Sequence, residues 1–187
     1  MLYPTELRVH SYNYVFLIYN DYILIMDIDL NDFLFNQAVS YLGRYPSTKR
    51  KLKIHLKKRM KSKRYISKLK IDKNLNLEEM LDTIIEKLVE LKILNELNYM
   101  ESLFNHFTRS LFPLKKMNQK FYVQGFEIKD IENFLDKKVI EEPELELRIL
   151  ENYVKKKKLK TSDLLIFKKK VYSQGFKDDT INNYLKD

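Results

Sequence analysis

The chain has 187 residues, no cysteine and a formal net charge of +9 at neutral pH. That excludes disulfides, thiolate catalysis and cysteine-held zinc, and suits a reducing cytosol. With only 3 glycines and 4 prolines, turn residues are scarce, and the expectation is an all-α protein rather than a many-stranded sheet.

In chain order, residues 1–30 read as an N-terminal extension without the basic-then-apolar pattern of a secretory signal. Residues 14–26 are its longest apolar run. Broken only by Asn20 and Asp21, they predict a short β-hairpin, with a buried helix as the alternative. No uncharged run of about 18 residues exists that could span a bilayer.

From Asn31 the period turns helical. Phe33, Leu34, Ala38, Tyr41 and Leu42 share a face, and Gly43 ends the helix. Pro46 breaks the chain, and Ser47 or Thr48 caps a second helix with Leu52, Leu56 and Met60 at four-residue spacing. Its other positions are cationic: Lys49, Arg50, Lys51, Lys53, Lys57, Lys58 and Arg59. On this reading Lys53, Lys57 and Lys58 point away from the apolar stripe and are free to meet a partner. Residues 61–76, which include Lys61 and Arg64, read as a basic insertion loop. A third helix from Leu77 turns Met80, Leu81, Ile84, Ile85, Leu88 and Leu91 inward and Glu78, Glu79, Asp82, Glu86 and Glu90 outward.

Asn95-Glu96 opens a long helix through Tyr99, Leu103, Phe104, Phe107 and Leu111, which Pro113 interrupts. A short helix over 115–124 follows. Pro143 starts another long helix, with Leu147, Leu150, Tyr153 and Val154 on one face, that runs into four lysines at 155–158. Ser162 is the expected cap of the last long helix, residues 164–174.

One stretch occurs twice. Residues 121–135 read FYVQGFEIKDIENFL and residues 171–185 read VYSQGFKDDTINNYL, with identity at Tyr122/Tyr172, Gln124/Gln174, Gly125/Gly175, Phe126/Phe176, Ile131/Ile181, Asn133/Asn183 and Leu135/Leu185. Each copy predicts a helix, a glycine in the left-handed conformation and a second helix. Phe121 should touch Phe126 across the first stop, and Val171 should touch Phe176 across the second. The whole chain then divides into nine helices in three groups: a three-helix repeat over 31–94, a second over 95–140 and a third over 141–187. Stacked in line, such units form an elongated, curved monomer.

Charge is segregated. Summed from the sequence, residues 1–42 carry −4, 43–73 carry +13, 74–112 carry −4, 113–140 carry +2, 141–154 carry −4 and 155–187 carry +6. Basic blocks of this kind point to a polyanion or an acidic protein surface.

Ordered residues in this frame resemble the RecX family of recombinase regulators. They are Ala38, Tyr41, Leu42 and Arg44; Pro46, Thr48, Leu52 and Leu56; and Leu91, Ile93, Leu94, Asn95, Glu96 and Tyr99. Arg109, Lys116, Gln124-Gly125-Phe126 and Gln174-Gly175-Phe176 then fall where that family carries its basic and glycine motifs. The resemblance covers about residues 32–187. The chain departs from it at Lys51, where glutamate is usual, and at Met60 and Lys92, where glycine is. Pro113-Leu114 also replaces a glycine, and Ser173-Gln174 replaces a basic pair. What the resemblance implies is a cytoplasmic, non-enzymatic protein without cofactor or metal. It would bind a RecA-type recombinase filament, inhibit its assembly and ATPase, and so modulate recombination and SOS-type repair. The partner-binding residues would be Lys49, Arg50, Lys53, Lys57, Lys58, Arg59, Lys61 and Arg64, then Arg109, Lys116 and Lys120, then Lys168 and Lys169. Gly43, Phe121, Gly125, Phe126, Val171, Gly175 and Phe176 would be structural.

Two other classes were weighed. A direct binder of the nucleic-acid backbone fits the lysine-rich second helix, although sequence reading would call for Arg, Asn or Gln at a helix start. Catalysis finds little support. His10, His55 and His106 lack carboxylate partners at useful spacing, and Glu141, Glu142, Glu144 and Glu146 read as a solvated acidic helix start.

Overall fold

The computed structural model describes residues 30–61 and 76–186. The expected N-terminal hairpin, Arg64 and nearly all of the basic insertion loop lie outside them. Among the described residues there are nine α-helices and no strand. They are α1 Leu30–Leu42, α2 Lys49–Met60, α3 Leu77–Glu90, α4 Glu96–Arg109, α5 Leu114–Gln124, α6 Ile128–Glu141, α7 Leu145–Lys157, α8 Leu164–Gln174 and α9 Asp178–Tyr184. None is long and apolar enough to cross a membrane.

The helix starts follow the capping chemistry. Thr48, Asn76 and Asn95 each accept a backbone N–H from the first turn of α2, α3 and α4, which satisfies a donor the helix itself cannot. Asp163, not Ser162, caps α8, its carboxylate accepting from Ile166 N. Two starts shift by a residue or two: α5 begins at Leu114 and α7 at Leu145, two beyond Pro143.

Five helix ends, those of α3, α4, α5, α7 and α8, share a left-handed residue. Gly125 has φ 90° and Gly175 φ 102°, both left-handed. Gly125 N–H donates to the Tyr122 carbonyl and Phe126 N–H to the Phe121 carbonyl, the paired bonds of a Schellman stop. The Phe121 and Phe126 rings meet edge to face with centroids 5.7 Å apart. The same bond pair closes α3, α4 and α7, but there the left-handed residue is Lys92 (φ 57°), Leu111 (φ 58°) or Lys158 (φ 50°). Lys92 stands where the resemblance calls for glycine, and its backbone has adopted the glycine conformation. Gly43, by contrast, is not among the left-handed glycines. Replacing Lys92 with glycine should stabilise the fold by about 0.5–1 kcal/mol, because the left-handed strain on a Cβ exceeds the extra chain entropy of glycine. Urea unfolding measures it; an unchanged or lower midpoint would contradict the strain.

Helix contacts fall into three sets. In the first, α1, α2 and α3 pack pairwise; in the second, α5 packs on α4 and α6; in the third, α9 packs on α7 and α8. Among the described residues there are two apolar cores. One gathers Leu34, Ala38, Leu52, Leu56, Met60, Leu81, Ile84, Ile85, Leu88 and Leu94. The other is continuous from Met100 to Ile181, with Phe121 and Phe167 among its largest fully buried side chains. In α7 the buried face is Leu145, Ile149, Leu150 and Val154; Leu147 and Tyr153 are only half-buried.

Candidate functional site

Two junctions position the basic helices, and their chemistry matches. At the first, the end of α5 abuts the start of α2. A Cβ built on Gly125 would lie 2.9 Å from Thr48 Oγ1. Thr48, fully buried, accepts from Lys51 N and donates to the Gln124 carbonyl at 3.1 Å. Lys51 Nζ and the Tyr99 hydroxyl both reach the Gln124 side-chain oxygen. Glu96, in the first turn of α4, accepts the Lys49 backbone N–H at 2.7 Å. Burial pushes the Glu96 carboxyl above its ordinary value, against the bond from Lys49.

At the second junction the end of α8 abuts the start of α5. A Cβ on Gly175 would lie 3.6 Å from Pro113. Pro113 has no side-chain cap to offer, and Glu146 from α7 replaces it: one carboxylate oxygen accepts the Leu114 N–H at 3.2 Å, the other the Thr180 hydroxyl at 2.9 Å. Glu146 is 7% exposed. The acidic run at 141–146 is therefore not wholly a solvated helix start; its last member is an internal cap. Glu96 and Glu146 stand 50 positions apart, the spacing of the repeated stretch. Pairing each with the first N–H of an earlier helix was the signal the sequence held.

The cations of α2 divide by direction. Lys53 reaches Glu78 at 3.1 Å and Asp82, and Lys57 also pairs with Glu78. The hydrogen bond to Asp82 holds the Lys53 ammonium above its usual value, and Lys57 then Lys53 hold the Glu78 carboxyl below its own. These two lysines knit α2 to α3, contrary to the expectation that they stand free; glutamate at either position would face existing carboxylates. On the α1 side His55 stacks on Tyr41 with centroids 4.0 Å apart, and burial, then the charge of Arg59, lowers its pKa. The outward row is Ile54, Lys58 and Lys61, all exposed, and neither lysine makes an ion pair among the described residues; Arg50, also exposed, borders a groove with Asp82, Glu86, Glu90 and Glu127.

The remaining predicted site residues are spread along the chain. Arg109 is exposed and bonds its own helix at the Asn105 carbonyl. Lys116 and Lys120 lie over the Phe112 ring, 4.7 and 5.2 Å from its centroid, a cation–π arrangement that fixes both ammonium groups on one side of α5. Lys168 donates to Asn182 at 3.2 Å, and Lys169 is exposed. No grouping of three or more metal-binding side chains occurs among the described residues.

No family model, curated protein or solved structure matches this chain.

Proposed function

We propose that the chain is a tandem array of three three-helix repeats, over 31–94, 95–140 and 141–187, elongated and curved, that binds a RecA-type recombinase filament and restrains its assembly and ATPase. The supporting observation is the recurring junction. In each, a left-handed glycine ending one second helix seats against the start of the preceding second helix, whose first N–H a glutamate accepts. Helices α5 and α8 run over Leu114–Gln124 and Leu164–Gln174, and α6 and α9 begin at Ile128 and Asp178, so both of these starts are displaced by 50 positions. An array with one junction repeated presents its outward cations at a regular interval, which suits a partner that is itself a polymer. The recombinase enters through the resemblance of the sequence.

The second reading is direct binding to nucleic-acid backbone, favoured by Lys58 and Lys61, which are exposed and in no ion pair among the described residues. Reversing Lys58 and Lys61 to Glu leaves the Lys53 and Lys57 ion pairs untouched and should preserve the helical circular dichroism. Each exposed contact contributes about 0.2–1 kcal/mol, so inhibition of DNA-dependent ATP hydrolysis by the cognate recombinase should weaken several-fold. Inhibition that persists in excess bare DNA and falls in the variant supports filament binding. Inhibition titrated away by bare DNA in proportion to its length, with a reduced salt slope in the variant, assigns the surface to DNA backbone instead.

A further inference from the structure

The first turn of α8 exposes three consecutive apolar side chains, Leu164 at 54%, Leu165 at 80% and Ile166 at 51%. At the corresponding place α2 carries Arg50-Lys51 and α5 carries Lys115-Lys116, and both of those starts are covered by a glycine-ended helix. The start of α8 closes on itself through Asp163. Phe167 and Val171 face the core, which places Leu165, Lys169 and Tyr172, the last 62% exposed, on the outward side at i, i+4 and i+7. Where α2 and α5 begin with cations, α8 begins with an exposed apolar row.

The charge around that row selects what can cover it. Lys155 to Lys158, Lys160 and Lys168 to Lys170 are all exposed, eight lysines against the single carboxylate of Asp163 within residues 155–170; Asp178 and Asp179 border only the Tyr172 end of the row. None of them makes an ion pair among the described residues. A second copy would bring the same lysines face to face and be repelled. We propose that the outward face of α8 docks an acidic protein segment, with apolar side chains at helical spacing set against Leu165 and Tyr172 and carboxylates against the α8 lysines at 168–170. This face shares Lys168 and Lys169 with the cations of the recombinase reading, but the probe that tests it contains no recombinase, so either can fail without the other.

The test uses the full chain and a labelled synthetic helix of about four turns, with leucine at i, i+3, i+4 and i+7 and glutamate elsewhere. A scrambled peptide of the same composition, polyglutamate, single-stranded DNA and phosphatidylserine vesicles serve as competitors. The amphipathic helix should bind about tenfold or more tighter than the scrambled one. Leu165→Ser with Tyr172→Ser should lose about tenfold with circular dichroism unchanged, both side chains being exposed; Lys168→Glu with Lys169→Glu should lose as much. Absent binding, equal binding of the scrambled peptide or polyglutamate, or full affinity in the serine variant would overturn the proposal. Vesicles that displace the peptide from wild type, with the serine variant losing the vesicles alone, would give the face to a membrane. Displacement by DNA that the serine changes leave unaltered would reduce it to a lysine patch for phosphates.

Discussion

Gly125→Val should cost about 3 kcal/mol or more, and Gly175→Val only about 1–2. Both positions are left-handed, at φ 90° and 102°, and a β-branched residue is strained there by about 1–2 kcal/mol. The difference lies in what the new carbon meets. At Gly175 it would find Pro113 at 3.6 Å, an ordinary contact; at Gly125 it would find Thr48 Oγ1 at 2.9 Å. That hydroxyl accepts from Lys51 N and donates to the Gln124 carbonyl. Displacing it forfeits a helix cap and a hydrogen bond between helices, each contributing about 1 kcal/mol. Urea unfolding of both variants separates the effects. Equal losses would show that Thr48 yields freely, and no loss in either would remove the left-handed stops from the fold.

Glu146→Ala should destabilise by about 2–3 kcal/mol. The carboxylate, 7% exposed, accepts the Leu114 N–H and the Thr180 hydroxyl. Its removal leaves the N–H that opens α5 without its acceptor, and an unsatisfied buried donor costs about 1–3 kcal/mol beyond the lost attraction. Glu146→Gln keeps one carbonyl oxygen for Leu114, and its amide can donate to Thr180, so its loss should stay under about 1 kcal/mol. If alanine and glutamine lose the same amount, charge rather than capping is the role of Glu146. If alanine loses nothing, the cap is redundant.

Helix existence was legible because the apolar period and the caps agreed: Thr48, Asn95, Gly125 and Gly175 each stand where the sequence places them. The stops at Lys92, Leu111 and Lys158 were not legible, because no glycine marks them. Their trace was a different one. Leu88/Ile93, Phe107/Phe112 and Val154/Leu159 are apolar pairs five residues apart, like Phe121/Phe126, and this is the contact that wraps a helix end. The basic face was legible as composition but not as direction. Whether Lys53 meets solvent or Asp82 depends on how α3 lies against α2, and the pattern of α2 alone does not contain that angle. Glu146 was misread for a similar reason: an acid in the first turn of a helix is ordinarily solvated, and only the neighbouring Pro113, which cannot cap α5, makes it an internal acceptor.

The two junctions differ in one respect that bears on motion. The core containing Leu34 and Leu94 is separate from the core that runs from Met100 to Ile181. Parting α4–α6 from α7–α9 would tear a continuous apolar interior. Parting α1–α3 from α4–α6 would chiefly exchange the bonds of Thr48, Lys51 and Glu96 for bonds to water, each a net difference of about 0.5–1.5 kcal/mol. The chain thus has one stiff coupling and one compliant one, and Thr48 is the latch of the compliant one. Bending among the described helices would therefore concentrate at Thr48, with the six C-terminal helices moving as one body around their shared apolar interior.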